Sequence, residues 1–237
     1  MNILKYINYG FYMAVIMPCK ILKHKYIKKT KGEKAAKDYC AEIGEKWAEF
    51  TIKTIGMKIT ILGKENIPDG PCCYIGNHTS ILDIPILINS VGKCMGFIAK
   101  KEMSNTPVLG YLMKEYNCVA LDRENVREGL KAIKEGADNI KAGYSMAIFP
   151  EGTRSKNGKM GQFKKGSLKL ATMAKAPVVP VAIEGAYKAY EENRKFKAVD
   201  IKVTFSKPIH TDKLTKEEER ELPERIRSII AKNLGEE

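Results

Sequence analysis

Apolar residues recur at helical spacing in the first quarter of the chain and then give way to short β-rich runs. Residues 2–24 and 33–55 each carry an apolar stripe with helical spacing, which predicts two helices. From residue 57 onward, short apolar runs predict strands at Met57–Leu62, Cys72–Gly76, Met95–Ala99, Cys118–Leu121, Ser145–Phe149, Val178–Ile183 and Val199–Phe205. Further helices are predicted at Ser80–Asn89, Thr106–Glu115, Asn125–Ala142, Lys165–Lys175 and Lys216–Leu234.

Strands that alternate with helices indicate an α/β fold. The pattern predicts a mixed, largely parallel sheet flanked by helices. No long helical pattern separates the last two predicted strands, so an antiparallel edge is expected there. The two N-terminal helices precede this domain and are expected to form a hairpin over residues 1–56, with the α/β domain over residues 57–237.

Lysines crowd the end of the first predicted helix and the connection to the second, at Lys20, Lys23, Lys25, Lys28, Lys29, Lys31 and Lys34. The first helix is apolar nearly all round, which favours a helix lying at a membrane surface. Each lysine near anionic headgroups would then contribute about 1 kcal/mol. The stripe of the second helix is expected to pack on the protein's own core. Together the two helices predict a membrane-associating hairpin.

The chain has 237 residues and a formal net charge of +13. So strong a positive charge predicts an anionic partner, which would be a nucleic acid, an anionic membrane or a phosphorylated substrate. No nucleic-acid-binding motif is visible in the sequence, which favours the other two partners. The six cysteines form no Cys-x-x-Cys pair and no Cys/His cluster with zinc spacing, so no metal site is expected.

The clearest chemical signal follows the second predicted strand, where His78 precedes Asp83 by five residues. Polar residues at the carboxyl ends of strands face the ligand-binding edge of an open α/β sheet. A carboxylate bonded to one imidazole nitrogen fixes the tautomer and leaves the other nitrogen free to act as a base. A loop histidine that only bonds backbone would explain an isolated pair, but a second motif downstream favours a catalytic pair.

That second motif is Phe-Pro-Glu-Gly-Thr-Arg-Ser at residues 149–155, again after a predicted strand. Gly152 allows the backbone to approach an anion closely. Thr153 and Arg154 supply hydrogen-bond donors for a phosphate, and arginine can bind phosphate with two bonds. Glu151 and Arg154 are also expected to brace the loop through an internal salt bridge, a role compatible with ligand binding.

Two further cations, Lys100 and Arg123, closely follow the third and fourth predicted strands. They are expected at the same edge as His78 and Arg154, so these cations predict a phosphate pocket around the histidine. No serine or cysteine presents itself as a nucleophile, because the string around Ser145 precedes a strand whereas a nucleophile elbow follows one. The attacking hydroxyl is therefore expected to belong to the substrate.

These strings together resemble the motifs of the glycerolipid acyltransferase family, most closely its bacterial lysophosphatidic acid (1-acyl-sn-glycerol-3-phosphate) acyltransferases. The family's Asn-His-x-x-x-x-Asp block matches at residues 77–83, and its apolar run ending in Asp-Arg matches at 122–123. Its Phe-Pro-Glu-Gly-Thr-Arg-Ser block matches in full at 149–155, and its apolar run around a proline matches at 178–181. The resemblance covers roughly residues 57–210, which would be the catalytic domain.

The resemblance implies roles for the matched residues. His78 would deprotonate the acceptor hydroxyl, which attacks a thioester carbonyl, and Asp83 would orient His78. The arginines and lysine of the predicted pocket would hold a glycerol phosphate. Gly152 and Thr153 would shape that pocket, and Glu151 would brace it. The substrate-binding residues would thus be Lys100, Arg123, Glu151, Gly152, Thr153 and Arg154. No cofactor is implied, because acyl-CoA or acyl-ACP (acyl carrier protein) would be a co-substrate.

The resemblance also implies partners and a location. The acceptor would be lysophosphatidic acid, and the product would be phosphatidic acid for phospholipid biosynthesis. The enzyme would lie on an anionic membrane surface as a peripheral or monotopic protein at the cytoplasmic face of the cell membrane. Glycerol-3-phosphate or another lysophospholipid is an alternative acceptor. A non-catalytic anionic-lipid-binding protein and a serine hydrolase using Ser145 are alternative functions.

Overall fold

The structure is a computed structural model that describes residues 3–122, 126–164 and 166–236. A π-helical turn at Tyr12–Ile16 joins the first two helices. Within the described ranges the α-helices are α1 (Ile3–Phe11), α2 (Met17–Ile55), α3 (Asp83–Val91), α4 (Pro107–Glu115), α5 (Val126–Lys141), α6 (Lys169–Ala174), α7 (Ala186–Ala189) and α8 (Lys216–Leu234). Short 3₁₀ turns lie at Lys64–Asn66, Lys101–Asn105 and Thr211–Lys213.

The strands of the described residues form one mixed sheet. They are β1 (Lys58–Leu62), β2 (Cys73–Gly76), β3 (Gly96–Lys100), β4 (Val119–Leu121), β5 (Met146–Ile148), β6 (Pro177–Glu184), β7 (Asp200–Phe205) and β8 (Ile209–His210). Their order is β1-β7-β6-β2-β5-β3-β4, with β8 beside β6. All seven predicted strands are present, and the predicted α/β fold with a largely parallel sheet is confirmed.

Strand directions decide which segments meet at the edge of the sheet where β2 ends and His78 follows, here called the catalytic edge. Strands β2 to β6 all run parallel, so their carboxyl ends lie at one edge of the sheet. The predicted antiparallel edge is confirmed, because β7 pairs antiparallel with β6 at one side of the sheet, although β1 is the last strand there. β7 pairs on its other side with β1, and these two strands run parallel to each other. As a result, β1 begins at the edge where β2 ends.

Helices cover both faces of the sheet because side chains of each strand alternate between two cores. In β2, Tyr74 packs on one side, and Cys73 and Ile75 pack on the other. The first core is completed by α2, α3 and α7, and the second by α5, α6 and α8. This is the three-layer arrangement expected when helices flank a largely parallel sheet.

The N-terminal helices form an antiparallel hairpin that reverses at Gly32. This residue has φ 84° and ψ 176°, a conformation outside the helical region that interrupts α2. The Tyr12 ring stacks on Phe50 with centroids 4.0 Å apart, which holds the two arms together. The predicted hairpin is therefore present. The lysine-rich connection expected at residues 25–32 is instead helical up to the break, because lysine is a good helix former.

The two faces of the hairpin differ in their surroundings. Cys40 and Ile43 of the second arm are buried against Leu112 of α4, as expected for the second helix. The first arm presents a row of exposed apolar side chains, here called the outer stripe, formed by Ile3, Ile7, Phe11, Val15, Leu22 and Tyr26. No helix in the described ranges combines the length and the apolar character needed to cross a bilayer.

Candidate active site

The structure brings His78 and Asp83 together at the carboxyl edge of the sheet. His78 follows β2, and Asp83 is the first residue of α3. Asp83 Oδ2 lies 2.8 Å from His78 Nδ1 and also accepts hydrogen bonds from the amides of Thr79 at 2.8 Å and Ser80 at 2.9 Å. One carboxylate oxygen thus holds both the imidazole and the loop that carries it.

These contacts determine the tautomer of His78. An ionised carboxylate only accepts hydrogen bonds, so Nδ1 donates and Nε2 of the neutral ring keeps its lone pair. No described residue bonds to Nε2, and 16% of the side chain is exposed. Burial raises the pKa of the Asp83 carboxyl, while its bonds to the imidazole and to the two amides act in the opposite direction. The pair has the geometry of an oriented general base.

An aromatic stack supports the ring of His78. The imidazole lies on Phe149, with ring centroids 4.3 Å apart and an interplanar angle of 11°. Phe97 follows in the same stack, 6.5 Å from Phe149. Phe149 belongs to the second motif, so this motif provides a wall for the base. The sequence motif includes Phe149 but does not predict its contact with His78, because ring stacking depends on the spacing of β2, β5 and β3.

Glu151 supports the backbone of His78. Its Oε1 accepts from the His78 amide at 2.7 Å, and its Oε2 accepts from the Gly161 amide at 2.8 Å. The Ser155 amide donates to the His78 carbonyl at 2.8 Å, which closes a second link to the same loop. Burial raises the pKa of Glu151, opposed by the two amide bonds. Because both of its oxygens are engaged, Glu151 braces the site, whereas the family resemblance grouped it with substrate-binding residues.

Gly152 gives the second motif its tight turn. Its φ is 71°, in the left-handed region that favours glycine, and a β-carbon there would lie 2.9 Å from Lys164 Nζ. Thr153 is exposed beside it. Lys164 therefore adds a cation to this loop that the sequence motifs did not single out. The signal for it was weak, because many lysines of this basic chain lie on the surface.

Arg154 pairs with Glu191 rather than with Glu151. Its guanidinium Nη1 lies 2.9 Å from Glu191 Oε1, and the same oxygen accepts a hydrogen bond from the Ile81 amide at 2.8 Å. The predicted salt bridge between Glu151 and Arg154 is therefore wrong, because the amides of His78 and Gly161 already occupy Glu151. No sequence motif pointed to Glu191, which lies in the segment after α7 and far along the chain from its partners.

The other two predicted cations contribute less to this geometry. Lys100 ends β3 at the catalytic edge, and its amine pairs with Glu102 at 2.8 Å. Since β5 separates β3 from β2, Lys100 stands two strands from His78, about 10 Å across the sheet. Arg123 lies outside the described residues. Within the described ranges, no three His, Cys, Asp or Glu side chains come close enough together to hold a metal ion.

An apolar cavity of about 320 Å³ opens beside the base. Ile81 and Leu82 of the catalytic loop line it, as does Phe97 of the aromatic stack. Its other walls come from the hairpin, α3, β3, α4 and the segment around Phe196. The cavity therefore joins the His78 loop to the N-terminal helices, and its lining suits an aliphatic chain.

Comparison with known proteins shows the family of this chain. Residues 58–184 match the acyltransferase family. The chloroplast 1-acyl-sn-glycerol-3-phosphate acyltransferase BAT2 of Brassica napus is 37% identical over 175 residues, covering 72% of this chain and 50% of that protein. A probable 1-acyl-sn-glycerol-3-phosphate acyltransferase of Mycoplasma genitalium is 34% identical over 189 residues, covering 74% of this chain and 70% of that protein.

A solved structure extends the similarity to nearly the whole chain. The crystal structure of the 1-acyl-sn-glycerophosphate (LPA) acyltransferase of Thermotoga maritima matches with a TM-score of 0.82 and 27% identity, covering 99% of this chain and 95% of that one. The match to the chloroplast relatives, by contrast, spans about half of their length. Because the family match covers more than half of the sequence and includes both motifs, the chain belongs to the acyltransferase family.

Proposed function

We propose that this chain is a 1-acyl-sn-glycerol-3-phosphate acyltransferase, which transfers a fatty acyl group from a thioester to lysophosphatidic acid and gives phosphatidic acid. The observation that carries the proposal is the His78–Asp83 pair, which leaves Nε2 free in a loop that also lines an apolar cavity through Ile81 and Leu82. Its similarity to enzymes named for this reaction supports the choice of acceptor.

The reaction follows from the state of the imidazole. His78 Nε2 takes the proton of the acceptor hydroxyl while the oxygen attacks the thioester carbonyl. The tetrahedral intermediate then collapses, the C–S bond breaks, and the imidazolium returns its proton to the thiolate. Asp83 stabilises the transient imidazolium, and general-base assistance of this kind contributes about 10²–10⁴-fold in rate. The substrate supplies the nucleophile, so no acyl-enzyme forms.

Arg154 and its loop hold the acceptor phosphate in this proposal. The guanidinium keeps donors beyond the one bonded to Glu191, and 41% of the side chain is exposed. Gly152 and Thr153 shape the turn, and Lys164 adds positive charge. Lys100 and Arg123 are further candidate phosphate ligands. The acyl chain lies in the apolar cavity, whose walls include both the catalytic loop and the hairpin.

The hairpin places the enzyme on its substrate. The outer stripe exposes large apolar side chains, which is typical of a membrane-binding surface. Lysines beside it suit anionic headgroups, so the protein acts as a peripheral or monotopic enzyme at the cytoplasmic face of the cell membrane. The thioester donor is acyl-CoA or acyl-ACP, and no bound cofactor takes part.

The test is acyl transfer to lysophosphatidic acid in anionic vesicles, from acyl-CoA and separately from acyl-ACP. Wild type should form phosphatidic acid with at least one donor, and His78→Ala should not. The preferred thioester identifies the donor. If wild type transfers only to glycerol-3-phosphate or to another lysophospholipid, the acceptor assignment is wrong. If it binds vesicles but transfers to no acceptor, the protein is a non-catalytic lipid-binding member of the family.

A further inference from the structure

Glu191 connects the two motif loops through a single oxygen. Its Oε1 accepts from the Ile81 amide in the loop of the base and from Arg154 in the second motif. The Ser155 amide, next to Arg154, donates in turn to the His78 carbonyl. These contacts form a closed ring that runs from His78 through residues 79–81, Glu191 and Arg154 back to His78.

The environment of Glu191 is costly for a carboxylate. Only 7% of the side chain is exposed, and its Oε2 is buried without a partner among the described residues. A buried carboxylate with one unpaired oxygen lowers stability, because the lost hydration is not replaced. A contact made at such a cost is more consistent with a role in the site than with stabilisation of the fold.

We infer that Glu191 is a positioning residue that fixes the guanidinium of Arg154 relative to the imidazole of His78. The inference rests on the proposed function, in which Arg154 holds the phosphate and His78 removes the proton. One guanidinium nitrogen is bonded to Glu191, which restricts the orientation of the planar group and leaves its remaining donors available to a phosphate. The Ile81 amide is bonded to the same carboxylate oxygen, so Glu191 also fixes the spacing between Arg154 and the loop that carries His78.

Substituting Glu191 by glutamine or by alanine separates its contact with Arg154 from its contact with the Ile81 amide. In Glu191→Gln the amide oxygen still accepts the Ile81 amide, but the charge that orients Arg154 is lost. In Glu191→Ala both contacts are lost. We expect Glu191→Gln to raise the KM for lysophosphatidic acid about three- to tenfold with kcat nearly unchanged, a modest loss because Arg154 is partly exposed to solvent. Glu191→Ala should raise KM and also lower kcat.

Two further measurements make the role specific. Glu192→Gln is the matched control, because its exposed side chain contacts only Asn193 among the described residues and should change neither constant. Repeating Glu191→Gln in an Arg154→Ala background should give no additional rise in KM, because the two residues act through one contact. Thermal melting and circular dichroism should show that the glutamine variant is fully folded.

The outcomes distinguish this inference from the function on which it rests. If Arg154→Ala raises the acceptor KM and Glu191→Gln does not, the positioning role is wrong and the phosphate role stands. If Glu191→Gln raises KM equally with and without Arg154, the positioning role is also contradicted. A lower KM in Glu191→Gln contradicts it as well, because it would mean that Glu191 competes with phosphate for the arginine. If Arg154→Ala leaves the acceptor KM unchanged, both the phosphate role and the inference fail. If Glu191→Gln lowers only the amount of folded protein and leaves kcat and KM unchanged, Glu191 is structural.

Discussion

One oxygen of Asp83 carries three hydrogen bonds, and its other oxygen is buried without a partner among the described residues. This asymmetry favours catalysis over stability. The bonded oxygen sets the tautomer of His78 and the path of the loop, while the buried, unpaired oxygen lowers the stability of the fold. Glu191 repeats the pattern, with one bonded oxygen and one buried oxygen that has no partner among the described residues, whereas both oxygens of Glu151 accept backbone amides.

Asp83→Asn should therefore separate activity from stability. The asparagine removes the charge that stabilises the imidazolium, so kcat should fall by about 100-fold or more. Because burial raises the pKa of Asp83, the folded state holds the proton more tightly than the unfolded chain does. Its contribution to stability is then present below the ordinary carboxyl pKa, about 3.9, and is lost as pH rises through the raised pKa.

The stability of wild type relative to Asp83→Asn should consequently decrease as pH rises from the acid range toward neutrality. Urea unfolding of both proteins at several pH values measures this difference directly. Any cost of the buried asparagine amide does not depend on pH and only shifts the curve. A difference that increases with pH would mean that the pKa of Asp83 is lowered in the fold.

Gly152→Ala should strain the phosphate loop. An alanine at a φ of 71° costs about 1–2 kcal/mol, and its β-carbon would displace the end of Lys164. We expect a lower free energy of unfolding and a higher acceptor KM. Gly166→Ala is the control, because the space around it is open and its φ is not in the left-handed region. Equal effects of the two substitutions would show that the turn at Gly152 is not required.

At the scale of elements, the hairpin depends on one residue for its reversal. Gly32 adopts φ 84° and ψ 176°, which is almost restricted to glycine, between two lysine-rich helical segments. Without this break, residues 17–55 have the composition of one continuous helix. The reversal brings the first arm back against Phe50 and so completes the wall of the apolar cavity.

Gly32→Ala should destabilise this reversal by about 1–3 kcal/mol, because alanine rarely adopts the required conformation. Gly10→Ala is a matched control, since both positions are open but Gly10 lies in regular helix. There alanine should be neutral or stabilising by up to about 1 kcal/mol. Urea unfolding monitored by the single tryptophan, Trp47 in the hairpin, measures both variants. Similar stability of the two would contradict this account of Gly32.

Much of the fold could be predicted from the sequence because strands and amphipathic helices leave local patterns. The two-residue strand β8 and the one-turn helix α7 were missed, since segments so short carry no measurable periodicity. In the site, the positions of His78 and Asp83 followed from strand-end placement. Glu191 could not be found in this way, because its partners lie far along the sequence and only the folded sheet brings them together.

For the molecule as a whole, the hairpin links the outer stripe to the cavity of the candidate active site. The cavity beside His78 is partly walled by the hairpin, and the same hairpin exposes the apolar row from Ile3 to Tyr26. Under the proposed function, a lipid acceptor would reach His78 from the membrane surface that the hairpin contacts. The net charge of +13 would then contribute through attraction to anionic lipid.

Phe11→Glu should weaken binding to anionic vesicles while leaving the fold intact, because the side chain is 56% exposed and the new charge would have to enter the interface. Leu130→Glu is the matched control on α5, where a leucine 57% exposed lies outside the hairpin. Vesicle sedimentation should show a loss of at least about fivefold for the first variant and little change for the second. Equal vesicle binding by the two variants would show that the outer stripe does not contact the membrane.

The direction of β1 has a consequence for how such an enzyme can be assembled. Because β1 and β7 run opposite to the parallel strands β2 to β6, the chain leaves the hairpin at Ile55 and enters the sheet at the edge that carries His78. A β1 parallel to β2 would have put the hairpin at the opposite edge, with the histidine turned away from lipid. A soluble sheet of this kind could thus be redirected to a membrane by adding a helical hairpin, but only ahead of a strand that starts at its catalytic edge.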